Sequence, residues 1–365
     1  MRIISAPSSG PLVGVTVVEF AGLGPGPYAA MLLADMGASV IRVERPQTAR
    51  VPPTAISQRG RALRVSADLK DAKDVEAVKR LLSRADILIE GMRPGAMERL
   101  ALGPDDVRRV NPRLVYGRVT GWGQTGPLSK TAGHDINYIA ITGALAAIGP
   151  RERPVPPLNL VGDFAAGSLF MVNGVLAAVL AARRTGQGQT VDAAMYEGTL
   201  SLLSAIHEKT AEGHWVDERE ANVFDGGAPF YGVYECQDGR HLSVGPLEWP
   251  FYQLLCDRIG LDPLPVAERD DVNLWAAQRE SLARVFRSRP RDAWVELLGT
   301  GDHCVAPVLR FSEVPENAHV KARRALQCID GVVQSSPVPR FSNDECVARP
   351  GERDVISISE FFSGE

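Results

Sequence analysis

Apolar residues in the first half of the chain come in two alternating rhythms. Short β-branched runs at Val13–Phe20, Ser39–Val43, Asp86–Glu90 and Leu114–Val119 predict buried strands. Between them, Tyr28–Met36 and Asp71–Ala85 carry helical spacing, the second with Val75, Val78, Leu81 and Leu82 on one face. Gln189–Ala193 predicts a further strand of the same sheet. Strands separated by helices of this length imply βαβ units, and so a parallel sheet covered on both faces. The first half therefore reads as an α/β, Rossmann-like layer.

The rhythm changes downstream. Residues 201–226 turn polar and charged and predict a linker. Val233–Cys236 and His241–Val244 flank the turn Q-D-G-R, a hairpin pattern. Helices are expected at Trp249–Ile259, Leu274–Arg287 and Arg291–Leu298, and the tail, with D-G-V-V-Q and S-P-V-P-R-F, is strand-like. The expected division is a large Rossmann-like domain at 1–200, the linker at 201–226, a smaller α+β domain at 227–318, and a segment at 319–365 that returns to the large domain. The longest apolar run, Phe164–Ala182, is interrupted by Gly167, Ser168, Asn173 and Gly174. It fits a buried core helix better than a membrane span.

Length and composition narrow the class further. A chain of 365 residues is too long for one small core and suggests two domains. A net charge of −4 gives no electrostatic case for nucleic acid. The five cysteines (Cys236, Cys256, Cys304, Cys328 and Cys346) are odd in number and lack CxxC spacing. That pattern argues for a reducing, cytoplasmic setting and against a zinc site.

Candidate chemistry sits between Gly133 and Gly167. His134 in G-H-D and Asp163 in G-D-F each follow a glycine and open an apolar, helix-like run. Helix starts offer unpaired N–H groups, and a His and an Asp facing each other there would make an acid–base pair. Each has a plainer reading: a hydrogen-bonding His, and Asp163 or Asp135 as a helix cap. Glu248, in V-G-P-L-E-W, would orient His134 if its domain, or that of a partner chain, closed over the pair. A nucleophilic serine is not indicated, because G-x-S-x-G does not occur.

Basic residues recur where strands end: Arg45, Lys70, Arg93 and Arg99. Ligands of open α/β sheets bind outside the carboxyl ends of the strands, and four cations there would suit a polyphosphate or nucleotide. The turn G-L-G-P-G-P at Gly22–Pro27, with Glu44 beyond it, superficially resembles a dinucleotide fingerprint. It has Pro27 where the last glycine is required, and Pro25 removes an N–H from the cradle. A nicotinamide cofactor is therefore not expected.

Several long motifs together resemble the family III CoA-transferases, and within them the α-methylacyl-CoA racemases. They are the opening G-V-T-V-V-E-F-A-G-L-G-P-G-P-Y, I-E-G-M-R-P-G-A-M-E-R-L, V-T-G-W-G-Q-T-G-P, A-G-H-D-I-N-Y, R-P-V-P-P-L-N-L-V-G-D-F and G-A-P-F-Y. The racemase side is favoured by His134, where transferases commonly carry another residue, and by the G-L-G-P-G-P opening. The long glycine loop of oxalate-using transferases is also absent near F-D-G-G-A-P-F-Y. Trp249 and Pro250 after the Glu, and the last residues of the chain, depart from the racemase pattern.

The resemblance implies an interlocked homodimer acting on 2-methyl-branched acyl-CoA thioesters, with CoA as part of the substrate and no separate cofactor. It makes His134 and Asp163 the acid–base pair and Glu248 the partner of His134. It also implies that CoA contacts Arg45, Ala67, Asp68, Leu69, Lys70, Gly91, Met92, Arg93, Arg99, Gly133, Asp135, Ile136, Asn137 and Tyr138. In the transferases of the family, the aspartate matching Asp163 is instead a nucleophile that forms an acyl anhydride.

Overall fold

The computed structural model describes residues 9–46 and 54–363. Its strands, in chain order, are β1 (Thr16–Phe20), β2 (Ser39–Glu44), β3 (Arg61–Ser66), β4 (Ile87–Glu90), β5 (Val115–Thr120) and β6 (Thr190–Ala194). Then follow β7 (Gly232–Glu235), β8 (His241–Val244), β9 (Val305–Pro307), β10 (Leu326–Ile329), β11 (Val332–Ser335) and β12 (Val355–Ser357). The chain forms two compact units. One runs through Thr142, resumes over Pro157–Leu203 and resumes again from Lys321; the other comprises Gly143–Pro156 and Ser204–Val320.

The first unit is built on a seven-stranded sheet in the order β12-β3-β2-β1-β4-β5-β6. Every neighbouring pair in it is parallel. Successive side chains of a strand point to opposite faces, so strands covered on both sides are apolar at nearly every position. Val17, Val40, Ile87 and Val115 pack with Ala30, Leu33, Met171 and Val175. These come from the helices Pro25–Asp35 and Phe170–Thr185. Val18, Ile41, Leu63 and Leu88 pack on the other face with Val78, Leu81 and Leu82 of the helix Ala72–Leu82. Asp71 caps that helix by accepting from the Lys73 N–H at 2.8 Å.

The strands predicted in the first half are present with small shifts at their ends; in the tail, D-G-V-V-Q overlaps β11, S-P-V-P-R-F forms no strand, and β12 pairs with β3. β3 is among the strands that have no counterpart in the sequence pattern. In β3, R-A-L-R-V-S, two arginines break the apolar pattern, yet both are buried. Arg61 donates to Glu19 Oε2 at 2.9 Å and to the carbonyls of Ile56 and Pro27 at 2.7 Å. Arg42 of β2 is paired with the other oxygen of the same fully buried carboxylate. Arg64 grips Glu44 through two bonds of 2.8 and 3.0 Å. Glu44 is thereby engaged in ion pairs with Arg42 and Arg64.

Phe164–Ala182 belongs to a longer helical stretch. Among the described residues Leu160–Thr185 is one helix long and apolar enough to cross a membrane by length and composition. It places Met171, Val175, Ala178 and Ala182 in the core of the sheet unit, as expected of a core helix. The segment read as a polar linker begins with helix: Met195–Leu202 is followed by Ser204–Ala211.

The second unit carries the antiparallel sheet β7-β8-β9. Its helices Trp249–Ile259, Trp275–Phe286 and Arg291–Leu298 lie close to the expected positions. Tyr234, Leu242, Leu255, Phe286 and Trp294 form its core. Arg219 binds the chain excursion at Gly143–Pro156, donating to the carbonyls of Ala146, Pro150 and Arg151 at 2.9–3.0 Å.

Removing one member of a buried ion group leaves the others uncompensated, which costs about 3–5 kcal/mol. Glu19→Ala, which strands Arg42 and Arg61, is expected to lower the unfolding free energy of the sheet unit by that scale, seen as a lower urea midpoint. An unchanged midpoint would show that the two guanidinium groups do not depend on Glu19.

Candidate functional site

The strand order reverses between β1 and β4, and an open parallel sheet places its ligand crevice at the carboxyl ends flanking such a point. Three of the four cations singled out in the sequence follow strands on either side of β1, which flanks the reversal. Arg45 follows β2, Lys70 lies just past β3, and Arg93 just past β4. All three are exposed, and among the described residues none of them forms an ion pair. Arg99 ends the short helix Ala96–Arg99 and is also exposed. Of the neighbouring positions, Ala67 and Leu69 are buried, while Asp68 and Gly91 are exposed and Met92 half-buried. The Met92 N–H is bound to Glu90 Oε2 at 2.6 Å.

His134 stands at the position preceding the helix Asp135–Ala140, with an extended backbone and an exposed side chain. Asn137, one turn on, accepts from the His134 N–H at 3.1 Å. The Tyr138 hydroxyl donates to the Gly133 carbonyl, and its ring meets Trp122 edge-on with centroids 4.8 Å apart. The end of the loop that presents His134 is thus held by two side chains of the following helix. Ile136, on the same helix, is 43% exposed, so an apolar side chain faces solvent beside the histidine.

Asp163 does not open its helix, as the sequence suggested. The helix begins at Leu160 as a wide, π-type segment, Leu160–Leu169, that runs into Phe170–Thr185. The pair of prolines at 156–157 hides this start, because in the sequence the apolar run follows Asp163 rather than enclosing it. Such wide turns often mark functional positions. The Asp163 N–H donates to Asp135 Oδ2 at 2.7 Å, and its own Oδ2 accepts from Asn159 at 3.1 Å. Neither Asp163 nor Asp135 is therefore the simple cap of its own helix: Asp135 is buried and binds the neighbouring one. Asn159, four residues before Asp163, is a site residue that the sequence pattern does not single out, although that spacing puts both side chains on one helical face.

The loop after β1 closes on the same carboxylate. A Cβ built on Gly24 would lie 3.4 Å from Asp163 Oδ2. Tyr28 of the following helix packs on Phe164, with ring centroids 4.8 Å apart. Ser168 Oγ sits 2.9 Å from the Pro25 carbonyl and 3.0 Å from that of Asp163. Burial pushes the Asp163 carboxyl above the usual aspartate range, and the nearby Asp135 charge adds to this. The Asn159 hydrogen bond and the charge of His134 act in the opposite direction.

His134 and Asp163 are thus brought together by one hydrogen bond between their two helices. An imidazole and a carboxyl so placed can carry protons to and from a bound substrate. Glu248 belongs to the second unit, where it immediately precedes the helix Trp249–Ile259 and is exposed.

Comparison with known proteins accords with this architecture. The chain is 42% identical over 367 residues to the alpha-methylacyl-CoA racemase of Homo sapiens, covering 97% of this chain and 94% of that one. It is 41% identical over 350 residues to the alpha-methylacyl-CoA racemase of Mus musculus, covering 96% and 91%. In fold it resembles the crystal structure of a CAIB/BAIF family protein from Brucella suis, with a TM-score of 0.77 at 24% identity over 94% of this chain and 97% of that one. The family model for CoA-transferase family III matches residues 12–349, which include six of the sheet's seven strands, the cation-bearing loops, both helix starts and Glu248. With a match of that extent, the chain belongs to CoA-transferase family III.

Proposed function

We propose that this protein racemises 2-methylacyl-CoA thioesters at C2 by proton abstraction and reprotonation through an enolate. The observation that carries the proposal is the Asp135–Asp163 hydrogen bond, which joins the helix start bearing His134 to the one bearing Asp163. The relatives named as alpha-methylacyl-CoA racemases support the substrate class.

The α-proton of a thioester is weakly acidic, so its removal needs a base, an acid on the opposite face and a stabilised enolate. His134 and Asp163 serve the two faces and share one proton between them, so each enantiomer meets a base on its own side. The Asp135 N–H, first in its helix, has no preceding turn to bond and donates to the enolate oxygen. Loss of such a donor typically costs about 3 kcal/mol. Glu248 orients His134 and supports its charged form, a role assigned on the family resemblance.

CoA occupies the carboxyl-end rim. Arg45, Lys70, Arg93 and Arg99 receive its phosphates. Segments 67–70, 91–93 and 133–138 complete the cradle, with Ala67, Asp68, Leu69, Gly91, Met92, Gly133, Asp135, Ile136, Asn137 and Tyr138 among them. CoA enters as part of the substrate, and the chemistry calls for no further cofactor. The working form is an interlocked homodimer in the cytoplasm. The transferase alternative would use Asp163 as a nucleophile. A carboxyl raised by burial is better suited to carry a proton than to attack as an anion.

A single enantiomer of a 2-methylacyl-CoA incubated in deuterated water is expected to become a mixture of both, with deuterium at C2. Asp163→Asn and His134→Ala should each lose racemisation by about 10²–10⁴-fold. Each should retain slow exchange of one enantiomer, and the two variants should favour opposite ones. An optically unchanged thioester, together with a hydroxylamine-sensitive acyl adduct on Asp163, would establish the transferase reaction instead.

Arg45→Ala is expected to raise KM for acyl-CoA while barely changing KM for a thioester truncated at the pantetheine, because the guanidinium serves the nucleotide portion alone. An equal rise in KM on both substrates would refute that placement.

A further inference from the structure

The side chain of Asp135 is the least accounted-for charge near the site. It is 6% exposed. Its Oδ2 accepts from the Asp163 N–H, whereas its Oδ1 is buried and has no hydrogen-bond partner among the described residues. Buried carboxylates ordinarily satisfy both oxygens or pair with a cation. The backbone of the π-type segment is pressed against this one: a Cβ at position 162 would lie 2.7 Å from Asp135 Oδ2 and 3.2 Å from Ile139 Cγ2. Only glycine lets that turn approach so closely.

We propose that the Asp135 side chain is a positioning residue for Asp163, pinning its main chain with one oxygen and setting the charge that the Asp163 carboxyl faces. The inference rests on the racemase reading for its catalytic meaning. The titratable groups around Asp163 are few. His134, Asp135 and Tyr138 come from the helix Asp135–Ala140 and the residue before it, and Tyr28 from the helix after β1. The helix Met195–Leu202 offers Tyr196 and Glu197, which bond to one another at 2.9 Å. Arg118 of β5 is held by Glu90 and Glu98, and Asp192 of β6 accepts from the Gln124 N–H at 3.1 Å. Among all these, the charges of Asp135 and His134 are the ones that bear on Asp163, and in opposite directions.

Like charges held together make protonation of one member easier. A base that must also return a proton benefits from that, because its acid form is then populated nearer neutrality. Asp135 supplies this effect without touching substrate through its side chain, and from a position that burial shields from salt.

Asp135→Asn separates the two functions, since an amide oxygen can still accept from the Asp163 N–H but carries no charge. The pH profile of C2 exchange and the carbon-13 NMR titration of the Asp163 carboxyl, assigned by its disappearance in Asp163→Asn, are the measurements. Removing a like charge makes Asp163 a stronger acid. The acid limb of kcat/KM and the NMR midpoint are therefore both expected to move to lower pH in Asp135→Asn. Asp135→Ala should show the same movement together with lowered thermal stability, because the Asp163 N–H loses its acceptor. If Asp135→Ala does not fold, Asp135→Asn decides alone. A limb and a midpoint that stay at their wild-type positions in Asp135→Asn overturn the inference. If the wild-type protein exchanges no C2 proton, the racemase reading fails, while the NMR midpoint still decides whether Asp135 sets the charge on Asp163.

Discussion

A fully buried carboxylate, Glu19, stands between two arginines on neighbouring strands, and the order of the sheet depends on that grouping. An unpaired charge in such surroundings is far costlier than an apolar residue, so β1, β2 and β3 are constrained to lie where Glu19, Arg42 and Arg61 can meet. A strand slipped by one residue would turn each of these groups to the opposite face. Apolar packing alone tolerates many arrangements of similar strands; charges that must be paired tolerate few. The rim cations, the turn after β1 and the helix carrying Tyr28 all take their places from strands ordered in this way.

The same lattice explains where sequence reading falls short. β1, β2, β4, β5 and β6 are legible because each carries a short run of apolar, largely β-branched residues next to a helical pattern. β3 is not, because Arg61 and Arg64 look like surface residues until Glu19 and Glu44 are known to face them. That pairing joins residues distant in the chain, and no local window contains it. Ser204–Ala211, which has no buried residue, shows the converse. A helix that hides no face leaves no periodic apolar signal.

At the candidate site, the residue types and their glycine neighbours are legible, and the geometry joining them is only partly so. His134 does stand at a helix start, as its pattern suggests. Asp163 lies inside a widened turn whose beginning is masked by prolines, and its hydrogen-bond partner Asn159 is hidden for the same reason. Asp135, which has the pattern of a local cap, in fact binds across to the next helix. Each shortfall has the same origin: a polar side chain reads as part of its own element, while the fold uses it to join two.

The excursion Gly143–Pro156 lies in the chain between His134 and Asp163, yet it belongs to the second unit. The polypeptide passes from one unit to the other at residues 142–143, 156–157, 203–204 and 320–321. Neither unit is therefore a contiguous cassette that one recombination event could exchange. A graft of the second unit from a relative would have to import the short strap together with the Arg219 that binds it. Diversification of this chain is accordingly channelled toward point changes and loop-length variation rather than the shuffling of whole units.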